Sequence, residues 1–319
     1  GPDTVENIDN LKVVVTVVNI GDEALKLLTD PNGPLSTIPT DTFTITDATG
    51  NTPTFVGVKA KYVPSVAAQK GAFTTLAPGE SKSVQHDLAD AYNFTATGPG
   101  KYEFAANNMF YHVGDAGTVE DIIYASHADA HMIALSGRLA RARPSQTLVK
   151  RASYNGCSTS EKSSLAQAAP AAQTYVANAM SYLQAHTSST TRFTTWFGTY
   201  LSSHHSTVLT HYTNMNGNVY TSYSFDCTCT DSGTYAYVYP DEYGTVYLCG
   251  AFWSAPVTGT DSMGGTLVHE SSHFTANAGT QDYVYGQSSS KSLAKSNSGE
   301  AIMNADSHEY FAENNPVQS

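Results

Sequence analysis

His269-Glu270-Ser271-Ser272-His273 sets two imidazoles four residues apart with a carboxylate between them. On a helix, residues i and i+4 share a face. Both rings can then grip one Zn²⁺, while Glu270 serves as base for the water that the ion activates. The flanks, Gly265-Thr266-Leu267-Val268 before and Phe274-Thr275-Ala276 after, read as helix. A catalytic zinc needs a third protein ligand and one open position. Asp282 lies nine residues past His273 and can be turned back to the metal by Gly279, which can end the helix. No His-x-x-Gly-x-x-His extension follows, so the third ligand is not a histidine at that spacing. Glu300 or Glu309 on a later helix is the competing choice. Tyr285 can present its hydroxyl to a developing oxyanion. Asp306 and Glu309 are three apart on an expected helix and share a face, a pair suited to an ammonium point charge. The other reading of that pair is a solvated acidic face continued by Glu313. His204, His205, His211 and His308 read as structural.

These residues need a scaffold. Ser158-Thr159-Ser160-Glu161 fits a capping box, and Leu165, Ala168, Ala172, Val176, Ala179 and Leu183 follow at helical spacing up to about His186, with Pro170 expected to bend or divide the helix. Phe193 to His211 reads as a second helix whose aromatic stripe (Phe193, Trp196, Phe197, Tyr200) is core. Tyr235–Tyr239 and Thr245–Leu248 alternate like a hairpin, and a last helix is expected from about Glu300 to Phe311. The second half is therefore α+β and mainly helical. Residues 1–137 read instead as an all-β antiparallel sandwich of about seven short strands, among them Leu11–Asn19, Thr42–Thr46 and Phe55–Val63. Residues 138–151 are basic and aperiodic, a linker ending in the dibasic pair Lys150-Arg151, where processing enzymes of the kexin type would cut; residues 152–319 form the second domain. Self-cleavage at Lys150 is a variant of the same reading.

The 319 residues are 40% hydrophobic and 14% charged, and no apolar run is long enough to span a membrane. No signal peptide stands at the start, and Gly1-Pro2 reads either as a natural processed end or as the remnant of tag removal. Net charge is −12; residues 152–319 carry four basic side chains (Lys162, Arg192, Lys291, Lys295) against twelve acidic ones. Such a field disfavours nucleic acid and favours cationic substrates. The four cysteines, Cys157, Cys227, Cys229 and Cys249, allow three pairings. Cys227 and Cys229 would share a strand face and do not suit each other. Disulfides imply an oxidising, extracellular route. Asn93-Phe94-Thr95 is a glycosylation sequon expected on a surface loop.

His-Glu-x-x-His followed by Gly279-Thr280-x-Asp282-x-x-Tyr285-Gly286 resembles the aspzincin (deuterolysin) signature at all eight specified positions. The stretches Tyr154–Cys157, Phe225–Cys229, Ala236–Pro240, Leu248–Trp253 and Asn304–Phe311 further resemble the fungal peptidyl-Lys metalloendopeptidases. The resemblance covers roughly the last 165 residues. It implies a zincin-like protease domain binding one Zn²⁺ through His269, His273 and Asp282, with Glu270 and Tyr285 catalytic. It also implies Asp306 and Glu309 as a pocket for the Lys that follows the scissile bond, disulfides Cys157–Cys227 and Cys229–Cys249, and protein or peptide substrates containing Lys. Residues 1–151 would then be an intramolecular propeptide of a secreted precursor, blocking the zinc site sterically or with a carboxylate or a histidine such as His112, His127 or His131. A deuterolysin-like protease of broader specificity and a non-catalytic secreted binding protein are the alternatives.

Overall fold

The computed structural model describes residues 1–126, 131–142 and 152–318; Lys150, Arg151 and His127 lie outside them. The chain divides into two compact units: Gly1–Val58 with Pro64–Ser145, and Lys59–Val63 with Gln146–Ser319.

The strands of the N-terminal half are β1 (Thr4–Asn7), β2 (Lys12–Val18), β3 (Leu25–Leu28), β4 (Phe43–Asp47), β5 (Thr54–Phe55), β6 (Lys59–Tyr62), β7 (Phe73–Leu76), β8 (Ser81–Asp87), β9 (Tyr92–Asn93), β10 (Gly100–Ala106), β11 (Met109–Val113), β12 (Val119–Tyr124) and β13 (His131–Arg138), with one short helix, α1 (Pro64–Gln69). Two four-stranded sheets, β1-β13-β10-β4 and β12-β11-β3-β7, and the pairs β2-β8 and β5-β9 make the first unit all-β. Pairing is antiparallel as expected except at β1-β13, which is parallel. Phe43, Ile45, Tyr102, Phe104, Ile133 and Leu135 alternate inward and form the main core, as half-buried strands require. The expected linker from residue 138 begins too early. Arg138 ends β13, and Arg141 pairs with Asp9, Asp87 and Asp90 within this unit. Asn93 of the sequon lies on β9 rather than on a loop.

The expected strand Phe55–Val63 is the larger correction. It is two strands separated at Val56–Val58, and only β5 stays with the first unit. β6 instead forms the edge of a five-stranded sheet in the second unit. With β14 (Ser153–Asn155), β15 (Ser224–Asp226), β16 (Thr234–Val238) and β17 (Thr245–Leu248), the order is β14-β15-β17-β16-β6. β6 runs antiparallel to β16, with Tyr237 opposite Ala60 and Ala236 opposite Lys61.

The second unit's helices are α2 (Thr159–Ala185), α3 (Thr191–Phe197), α4 (Ser202–Asn216), α5 (Met263–His273), α6 (Gln287–Ser296), α7 (Ser298–Ala301) and α8 (Ala305–Glu313). The capping box of α2 is present, and its periodic positions are buried. Pro170 does not divide it. Both Pro170 and Ala166, whose carbonyl loses its donor, are exposed, so water can satisfy that carbonyl. The expected helix Phe193–His211 is split into α3 and α4 at Gly198, which has φ 78 and would bring a Cβ within 2.1 Å of the Ala294 carbonyl. The last expected helix is likewise α7 plus α8. The disulfides are Cys157–Cys227 and Cys229–Cys249, tying β15 to the start of α2 and the end of β17 to the loop after β15. None of the helices among the described residues is long and apolar enough to cross a membrane.

Candidate active site

Helix α5 is buried along its whole length, and its polar residues account for that position. Ser271 Oγ accepts from Tyr220 Oη at 2.9 Å and from Asn218 Nδ2 at 3.2 Å, and the Asn277 side chain donates to the Ser271 carbonyl at 2.7 Å. Ser272 Oγ lies 2.6 Å from Thr280 Oγ1. Two faces of the motif that look solvated in sequence are thus satisfied inside the protein, as burial demands. Close helix packing requires small residues: a Cβ on Gly264 would meet the Ala171 side chain at 3.0 Å.

His273 Nδ1 donates to the Thr280 carbonyl at 2.9 Å, and His269 Nδ1 lies 2.8 Å from Asp306 Oδ1. The Thr280 carbonyl fixes the His273 ring so that its Nε2 presents its lone pair. Both Nε2 atoms lie 3.2 Å from Asp282 Oδ1. The chain returns Asp282 through Gly279 (φ 59) and a bridge between Gln281 and Asn304, whose side-chain oxygen accepts from the Tyr283 and Val284 amides. His269 Nε2, His273 Nε2 and Asp282 Oδ1 are buried and make no hydrogen bond. Three converging lone pairs without a donor repel one another unless a cation sits among them, so the residues fit a zinc ion. Glu300, the competing ligand, is half exposed on α7. Glu309 lies 3.4 Å from the far nitrogen of His269, Nδ1, rather than beside Asp282.

Glu270 is fully buried beside this cluster, with Oε2 free of hydrogen bonds. Burial foremost, aided by the charge of Asp282, pushes its carboxyl up to about 8 against the pull of His269 and Lys61. A dication among the histidines would oppose that rise. Tyr285 packs edge-on against Tyr62, ring centroids 6.0 Å apart.

Asp306 and Glu309 are not a solvated face. Both are wholly buried, and Glu313 is nearly so. They surround Lys61 of β6, whose Nζ lies 2.7 Å from Glu309 Oε2 and 3.3 Å from Asp306 Oδ1. Burial opposes its charge, but Asp306 and Glu309 hold the Lys61 ammonium well above its ordinary pKa. The backbone of the same strand meets the buried histidine–carboxylate cluster: the Lys61 amide donates to Glu270 Oε1 at 3.0 Å, and the Ala60 amide to Asp282 Oδ2 at 3.2 Å. Among the described residues, the segment of the N-terminal half set against the site is the lysine strand β6; His112 lies on β11 and His131 on β13. Nothing in the sequence singles out Lys61, which sits in an ordinary β-branched and aromatic run. His205 Nε2 donates to the Leu183 carbonyl at 3.1 Å, and His211 pairs with His308 at 3.0 Å, so these three are structural, as expected.

The helix-borne pair of histidines, the converging Asp282 and the buried Glu270 define a zinc metalloendopeptidase. Comparison with known proteins agrees. The profile of the aspzincin family, described as lysine-specific metallo-endopeptidase, matches residues 182–313. A peptidyl-Lys metalloendopeptidase of Grifola frondosa is 60% identical over 322 aligned residues, 100% of this chain and 92% of that protein. One of Armillaria mellea is 53% identical, covering 100% of this chain and 91% of that protein. A solved zinc peptidase from Grifola frondosa, 69% identical, superposes with a TM-score of 0.51, covering 51% of this chain and 100% of its own. The chain belongs to the aspzincin family, alongside the fungal peptidyl-Lys metalloendopeptidases.

Proposed function

We propose that the protein is the secreted precursor of an endopeptidase that hydrolyses the bond on the amino side of Lys, and that β6 closes its site in the uncut chain. One observation carries this reading: Lys61 sits as a substrate lysine would, its ammonium in the buried acidic pocket and its amide on Glu270. His269, His273 and Asp282 would hold one zinc ion, which supplies Lewis acidity toward the scissile carbonyl and lowers the pKa of water at the site. Glu270 takes a proton from the attacking water and returns it to the leaving amine, the position now held by the Lys61 nitrogen. Tyr285 offers its hydroxyl to the carbonyl oxygen as charge develops there. Asp306 serves twice, orienting His269 through Nδ1 and lining the lysine pocket.

The added-strand pairing of β6 with β16 supports the same reading, since extended peptides bind by completing an open sheet edge. Two disulfides support export. The dibasic pair Lys150-Arg151 would be the maturation cut, releasing residues 152–319 from a propeptide; the Grifola frondosa structure, which matches about half of this chain at 100% of its own length, is consistent with that division. The test is a cleavage map. The matured, zinc-loaded enzyme should cut a protein digest before Lys, and Glu270→Gln should lose about 10²- to 10⁴-fold in kcat while retaining zinc. Cuts spread over non-basic residues would refute the lysine assignment and favour the broader, deuterolysin-like alternative.

A further inference from the structure

We propose that Asp261, on the turn leading into α5, is a third carboxylate of the lysine pocket and the residue that selects an ammonium over a guanidinium; this rests on the lysine reading above. An ammonium carries three donors in a pyramid. Three carboxylate oxygens surround Lys61 Nζ: Glu309 Oε2 at 2.7 Å, Asp261 Oδ1 at 3.1 Å and Asp306 Oδ1 at 3.3 Å. Two of the three come from α8 and share one helix face. Asp261 arrives from a different element, and without it one side of the cation has no charged partner. The rings of Tyr235 and Tyr310 complete the wall, their centroids 5.5 and 5.2 Å from Nζ. A guanidinium is one atom longer and ends in a planar fork. It would have to set two nitrogens where the carboxylates now converge on one.

Asp261 is built into place. It holds φ 49, a left-handed conformation uncommon outside glycine, Asn and Asp. Its amide donates to Glu313 Oε2 at 3.2 Å, while the neighbouring Ser262 amide and hydroxyl donate to Glu313 Oε1 at 2.9 and 2.7 Å. Gly265 admits that carboxyl, since a Cβ there would lie 2.0 Å from Glu313 Oε1. The Tyr310 hydroxyl donates to Asp261 Oδ1 at 2.6 Å and aims it at the pocket. Tyr310 is a positioning residue here. The strained turn, the buttress and the aimed oxygen all converge on an acid whose side chain is only 23% exposed.

The test compares two peptides identical except for Lys or Arg after the scissile bond, cut by zinc-loaded enzyme matured from the full chain. Asp261→Asn keeps the left-handed turn and the size of the side chain. Its kcat/KM on the Lys peptide should fall about tenfold to a hundredfold, mostly through KM, with the Lys-to-Arg ratio shrinking by a similar factor. Zinc content and melting temperature, unchanged, would show that the variant folds. An unaltered Lys-to-Arg ratio overturns the proposal. Should Asp261→Asn not fold, Tyr310→Phe replaces it and should lower the ratio in the same direction by a smaller factor; no change in that variant is equally fatal. A wild-type enzyme indifferent to Lys and Arg would instead sink the proposed function, and this inference with it.

Discussion

Lys61→Ala in the full-length chain tests the closure of the site most directly. The substitution removes the one cation from a pocket in which Asp306 and Glu309 are wholly buried and Asp261 is 23% exposed. Breaking a buried ion pair from one side costs about 3–5 kcal/mol, because the remaining charges stay desolvated. Asp261 reaches water and adds little to that cost. For a unit of this size each kcal/mol shifts Tm by about 2–4 °C, so a fall on the order of 10 °C is expected if β6 stays in place. The shift is smaller if the strand leaves and water enters the pocket. In that case the unprocessed chain should gain activity on a Lys peptide relative to wild type, which the proposed closure would keep silent. Differential scanning calorimetry and a fluorogenic Lys peptide, both on protein with bonds 142–152 intact, read the two outcomes. Lys61→Met keeps the apolar stem without the charge and should behave alike. A Lys61→Ala chain as stable and as inactive as wild type would refute the reasoning.

Two further outcomes follow from the site. Asp282→Ala should lose bound zinc by metal analysis and Glu309→Ala should retain it, since only Asp282 faces both Nε2 atoms; the reverse pattern would assign the third ligand to α8. Burial foremost, and the charge of Glu309, push Glu313 up to about 9 from its ordinary value of 4.5. A carboxyl raised on folding keeps its proton in the native state while the unfolded chain loses it, so its contribution is greatest below pH 4.5 and declines as pH climbs to about 9. Glu313→Gln, which cannot ionise, should flatten that decline by roughly a few kcal/mol when melts at pH 5 and pH 9 are compared with wild type. The pH difference is the readout, because the amide nitrogen facing the Asp261 amide adds a pH-independent cost.

What could be read in advance was local. The His-Glu-x-x-His helix, the capping box at Ser158, the hairpin of β16 and β17 and the turn at Gly279 each follow from residues a few positions apart, where spacing decides which side chains share a face. The division of Phe193–His211 was not legible, because Gly198 is demanded by the Ala294 carbonyl from a helix almost a hundred residues later. Pro170 misled for the opposite reason: propensity counts the lost bond, and only the exposure of Ala166 shows that water replaces it.

The sequence by itself singled out the groups proposed to do the chemistry: the histidines and Glu270 by their spacing, Asp282, Tyr285, Asp306 and Glu309 through the family resemblance. It determined neither the burial of the acidic pair nor what fills their pocket. Those were decided by contacts across large separations, Lys61 to Asp261, Asp306 and Glu309, and by a strand that pairs with β16 rather than with its neighbours in the chain. Charge partners in a desolvated interior are selected by proximity after folding, and no periodicity records that.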